Sequence, residues 1–182
     1  MTYINGDHYL NSGVEYNIRW SALRWLGVDV GCNVFYTKSR GVGGDLKSPT
    51  QGFTFRNEGW TSNNSATLNI MPMKGMTIQA QYFVTTPQYF PQFTTKTIHY
   101  CNLGIRQQLP KKGLTFSALL TDVFNTRRWD ISSDNPVYTL VNNSRNRSRI
   151  FWLGISWNFH SYKPVGGAKK QDEDRSVIRL GE

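Results

Sequence analysis

The run Met76-Thr77-Ile78-Gln79-Ala80-Gln81-Tyr82-Phe83-Val84-Thr85 decides how the rest of the chain is read. Met76, Ile78, Ala80, Tyr82 and Val84 fall on one parity, and Thr77, Gln79, Gln81 and Thr85 on the other. Only Phe83 is out of step. Successive side chains of a strand point to opposite faces, so this run predicts a strand with one apolar and one polar face. Its ten residues also suffice to cross a hydrocarbon layer when tilted.

The same alternation recurs on both sides. Val14, Tyr16, Ile18 and Trp20 alternate with Glu15, Asn17, Arg19 and Ser21, and Val28, Val30, Cys32 and Val34 with Asp29, Gly31 and Asn33. Ala66, Leu68 and Ile70 follow, then Cys101, Leu103 and Ile105, then Leu114, Phe116, Ala118 and Leu120, and last Phe151, Leu153, Ile155, Trp157 and Phe159. Seven such segments predict an all-β fold, an antiparallel up-and-down meander of about seven long strands. The connections sort by length: short ones at 23–27, 72–75 and 110–113, long ones at about 38–56, 86–95 and 127–147. Every second connection of a meander lies on the same rim, so all short turns share one end and all long loops the other. Tight turns on one rim and long loops on the other are how transmembrane β-barrels are built. The residues before Val14 then fall on the long-loop rim as a loop. Because seven strands leave the sheet open, the reading makes residues 1–160 part of a larger barrel, with partner strands elsewhere. Residues 161–182 are polar and mixed in charge, and read as a disordered tail on the short-turn, periplasmic side.

Composition agrees. Aromatics make up 14% and charged residues 18%, with 6 Trp, 9 Tyr and 10 Phe. No apolar stretch is long enough for a transmembrane helix. The first residues lack a leader's basic start and apolar run, so the reading expects one upstream in a longer precursor. The net charge of +9 raises nucleic acid as a partner. The charge is spread, and no nucleic-acid-binding motif accompanies it, so none is expected.

Four runs then resemble the barrel of TonB-dependent receptors in the Bacteroidetes outer-membrane β-barrel family. They are Leu23-Arg24-Trp25-Leu26; Asn102-Leu103-Gly104-Ile105-Arg106-Gln107-Gln108-Leu109; Thr121-Asp122-Val123-Phe124-Asn125-Thr126, which leads into Arg127-Arg128-Trp129; and Leu153-Gly154-Ile155-Ser156-Trp157-Asn158-Phe159. Their order matches the family's C-terminal end. The resemblance implies a segment of a receptor that imports a large siderophore, glycan or peptide, located in the cell outer membrane. It also implies a plug, N-terminal barrel strands and an energy-transducing inner-membrane complex as partners. The family's plug and coupling box are not among these residues, and the polar tail departs from a chain that ends on its aromatic strand. Two other readings stay open: a plug-less structural or porin-like barrel, and a soluble β-sheet binding module.

Glu15, Arg19, Asp29 and Arg106 carry the polar parity and are the candidates for the lumen wall. Arg147 and Arg149 share parity with Phe151 and Leu153, so they are the candidates for contact with lipopolysaccharide phosphates. Outer-membrane lipid is the expected surrounding. Cys32 and Cys101 sit three strands apart, roughly 14 Å, too far for a disulfide. His8, His99 and His160 have no ligand spacing, and Gly41-Val42-Gly43-Gly44-Asp45 lacks the Lys of a phosphate loop. No metal, cofactor or catalytic group is expected.

Overall fold

The computed structural model describes residues 2–45, 48–134 and 139–159. His160 and the tail 161–182 lie outside the described residues. Seven strands form one sheet: β1 (Thr2–Leu23), β2 (Leu26–Asp45), β3 (Ser48–Ile70), β4 (Met76–Thr85), β6 (Ile98–Leu109), β7 (Leu114–Leu120) and β10 (Phe151–Trp157). They lie side by side in that order, each antiparallel to its neighbour. The expected seven-strand meander is the observed sheet. Three further strands, β5 (Thr94–Thr95), β8 (Trp129–Asp134) and β9 (Thr139–Ser144), form a second small sheet.

Apart from register shifts at Gly6/His8, Trp20/Leu23 and Gly44/Asp45, the registers keep each parity on one face across the sheet. One row runs Trp20, Val28, Leu68, Ala80, Leu103, Leu120 and Phe151, and the next Leu26, Ile70, Ile78, Ile105, Ala118 and Leu153. Between them lies Gly27, Asn69, Gln79, Gly104, Leu119 and Trp152 on the opposite face. The apolar face is the bare one even in the middle of the sheet: Leu68 is 36% exposed, Leu103 42% and Ile105 39%. On the polar face Gln79 is 1% exposed and Asn102 7%. A protein folded in water buries its apolar face; this one presents it, which suits a hydrocarbon solvent outside and a polar interior.

The short turns behave as read. Leu23 pairs with Leu26 across the first, and Gly75 and Gly113, at φ 78° and 64°, close the other two. A Cβ on Gly75 would lie 2.5 Å from the Gln108 carbonyl oxygen, so this turn needs glycine on two counts. A 3-10 turn over Pro110–Lys112 leads into Gly113.

The long connections differ from the reading. Residues 38–45 and 48–56 are strand rather than loop: β2 runs to Asp45 and β3 starts at Ser48, and the two pair to their ends. The residues before Val14 are also strand, since β1 starts at Thr2. Hydrophobic alternation fades there because neither face needs lipid-soluble residues, while the backbone ladder continues. Residues 86–93 are mostly irregular, as expected, but Thr94–Thr95 form β5, and within the last long connection Trp129–Asp134 and Thr139–Ser144 form β8 and β9.

The sheet is staggered. Below the Trp20–Phe151 row, β1 continues three residues to Leu23, whereas β10 continues six to Trp157. Above it, β1 continues to Thr2 and β3 begins at Ser48, while β4 stops at Thr85 and β7 at Leu120, on the row itself. Such an offset is what strand tilt in a barrel produces.

Candidate functional site

The polar face holds a ladder of side chains across the first four strands. Arg19 Nε forms an ion pair with Asp29 Oδ1 on the directly opposed position of β2. Asp29 Oδ2 accepts from Asn69 Nδ2 at 3.5 Å, and Asn69 Oδ1 accepts from Gln79 Nε2 at 2.9 Å. Arg19 is largely exposed, so the pair contributes at most about 1 kcal/mol and serves more to fix charge than to hold the fold. Glu15 accepts from Asn17 at 3.3 Å on the same strand. Arg106 stands apart in β6, four strands from Arg19, or about 19 Å across the sheet. It lines a cavity of about 730 Å³ at the short-turn rim with Arg24, Lys74 and Gln108. The four candidates therefore share one face, and only Arg19 and Asp29 meet.

The upper part of this face is covered by the two long connections. Asn57 on β3 is the main attachment: its Nδ2 donates to the carbonyl of Phe90 at 2.9 Å and to Thr94 Oγ1 at 2.9 Å. Thr61 Oγ1 donates to the Pro87 carbonyl at 2.8 Å, and Ser62 N to Thr86 Oγ1 at 2.7 Å. The Tyr89 ring lies so close on Gly59 that an added Cβ would sit 2.2 Å from it. Segment 121–150 joins through β8, which pairs with β5, through Lys96 N on the Asp130 carbonyl at 2.9 Å, and through Ser133 Oγ on the Gln92 carbonyl. Between β3 and this cover lies a cavity of about 660 Å³ lined by Asn57, Phe93, Thr94 and Ser132, among others.

Asp122 fixes the base of the second connection. It is 1% exposed and its backbone is left-handed, φ 44°, as is Asn125 at 56°. Asp and Asn enter that region more readily than other side-chain-bearing residues. Oδ1 accepts from Thr126 N at 2.9 Å; Oδ2 accepts from Arg127 N at 3.2 Å and from Ser148 Oγ. The Asp122 N–H donates to Asn102 Oδ1 at 2.9 Å, tying the turn to β6. Burial pushes the carboxyl up, but the hydrogen bonds from Ser148, Thr126 and Arg127 outweigh it and hold it below the usual carboxylate range. Sequence reasoning singled out this run without giving Asp122 a task. The spacing of Asp and Asn around a turn was the available signal.

Arg147 and Arg149 precede β10, in residues without strand geometry, so strand parity does not set where they point. Arg149 Nε donates to the Asp122 carbonyl at 3.5 Å, and Arg147 is exposed. Arg127 lies 4.7 Å over the Tyr100 ring, which stacks on Phe83 at 4.9 Å. Cys32 and Cys101 are free thiols. Among the described residues no group of three or more His, Cys, Asp or Glu could hold a metal ion.

A family model described as the outer membrane protein beta-barrel family matches residues 1–157. No curated protein and no solved structure matches the chain.

Proposed function

The chain belongs to the outer membrane protein beta-barrel family, in the bacterial outer membrane, and from that premise we propose that it is the C-terminal wall of a TonB-dependent receptor of the Bacteroidetes kind. In this reading further strands close the barrel, a plug fills it, and an inner-membrane complex supplies energy for uptake of a siderophore, glycan or peptide too large for an open pore. The Asp122 anchor carries the reading. The run with the most specific resemblance to those receptors, Thr121 to Thr126, has a built task here, pinning a long external connection to β6. Among the described residues β1 and β10 pair on one side only, which supports closure by other strands, because unpaired backbone in hydrocarbon costs several kcal/mol per group. Arg19, Asp29 and Arg106 on the polar face would then meet the plug or the passing solute.

A porin-like barrel without a plug is the second reading. It is favoured by the inward cover at Asn57 and Thr61, which narrows the lumen from within the chain itself. Full-length protein in planar bilayers separates the two. A plugged receptor gives no steady large conductance and crosslinks to an inner-membrane energy-transducing protein in intact cells. A steady open channel without any such crosslink would overturn the receptor reading and leave the porin-like one.

A further inference from the structure

The outer face of the β2–β3 hairpin carries a feature that neither the lumen nor the receptor reading uses. Along β2, Thr37, Ser39 and Gly41 are buried, Thr37 and Ser39 at 2% and 0% exposure, while Arg40 and Val42 are exposed. The buried parity is the one beneath the inward cover. Lys38, Arg40 and Val42 therefore continue the lipid-facing parity of Val28, Val30 and Val34. Climbing that face, Tyr36 is opposite Trp60, with ring centroids 5.5 Å apart; Lys38 is then opposite Glu58, and Arg40 opposite Arg56.

Aromatic girdles mark the edge of the apolar band in such barrels. The two cationic rows begin two and four residues above the Tyr36–Trp60 pair, about 5–10 Å higher for a tilted strand, which is headgroup depth. Arg56 Nη2 bonds Glu58 Oε1 at 2.9 Å. Three cations and one carboxylate leave the patch at +2 (three minus one). Like charges directly opposite on neighbouring strands repel, and Glu58, which pairs with Arg56, offsets only one of the three cations, so the patch as a whole favours a further anion beside Arg40. Guanidinium forks fit phosphate oxygens in two-point contact, and clustered cations beside a bilayer bind anionic lipid headgroups.

We propose that Lys38, Arg40 and Arg56 form a site for the phosphate groups of lipopolysaccharide in the outer leaflet, with Tyr36 and Trp60 packed against the acyl chains just below. The occupant is a lipid because the patch continues the lipid-facing surface without a break, and the cover on the other face keeps it out of the lumen.

The test uses the full-length protein. Lipid A retained through purification is measured for wild type, for K38Q/R40Q/R56Q, and for R147Q/R149Q, with heat-modified gel mobility as the check of folding. Binding is then measured on vesicles containing lipid A and on vesicles containing dephosphorylated lipid A. The triple variant should retain about tenfold less lipid A, the equivalent of one lost charge-assisted contact of 1.4 kcal/mol. Dephosphorylated lipid A should erase the difference, and R147Q/R149Q should behave as wild type. Wild-type retention by the triple variant overturns the proposal, as does an equal loss on dephosphorylated lipid A or a loss confined to R147Q/R149Q. If the triple variant misfolds, R40Q alone decides by the same criteria, since it leaves the Arg56–Glu58 pair intact.

Discussion

Asp122 shows how one residue can hold a long connection. Its carboxylate is buried, accepts from two backbone amides and a hydroxyl, and titrates below its usual range. A depressed folded pKa means that the contribution is fully present above the unfolded value of about 3.9 and is lost as pH falls through the folded pKa. Protection of the Thr126 and Arg127 amides against hydrogen exchange should therefore be constant from neutral pH down to about 4 and collapse below it. Asp122→Asn should remove that acid transition. At neutral pH it should cost about 1–3 kcal/mol, because an amide nitrogen then faces donors that need an acceptor. Proteolysis of segment 121–150 reports the same loss. Unchanged protection in Asp122→Asn would mean that the connection is held elsewhere.

At the scale of the strand, the two faces make opposite demands. Ile78 lies in the apolar row with Ile70 and Ile105, so Ile78→Arg should cost about 2–4 kcal/mol in folding from denaturant into bilayers. Thr67→Arg, on the polar face beside Asp29, should cost well under half of that, because the new cation meets a carboxylate. Equal penalties would mean that both faces are buried in protein. Gln79 and Asn102, on the same polar face, would tolerate Arg far less well. Both are polar in sequence, yet they are buried and hydrogen-bonded.

Strand number, order and facing in the main sheet were legible because lipid demands a hydrophobic residue at every second position, and Val, Ile, Leu and Trp meet that demand. Above the bilayer the demand lapses. Lys38 to Asp45 therefore read as loop although the ladder runs on, and Thr2 to Gly13 likewise. The cover was invisible for a different reason: Asn57 and Thr61 act through carbonyls distant in sequence, which leave no periodicity. Of the lumen candidates, the Arg19–Asp29 contact follows from pairing across one tight turn. The isolation of Arg106 needed the strand order.

For the whole molecule, the short turns and the long connections must open to different compartments. With Cys32 and Cys101 replaced by Ser, single cysteines at Val42 and Asn143 should react with an impermeant thiol reagent on intact cells. Cysteines at Lys74 and Lys111 should react only after the outer membrane is opened. The reverse pattern would invert the molecule.

The stagger described above means that the outer rim is cut obliquely, like a quill. The wall is tall at β1–β3, where strands continue far above the Trp20–Phe151 row, and low at β7 and β10, which end on it. Segment 121–150 springs from the low side at Asp122 and reaches the tall side through β5 and residues 86–97. In mechanical terms the cover is fixed at both ends, on the low side at Asp122 and on the tall side at Asn57, Thr61 and the Tyr89 ring on Gly59. The contacts that hold this cover across the sheet therefore lie on the side opposite its attachment at Asp122.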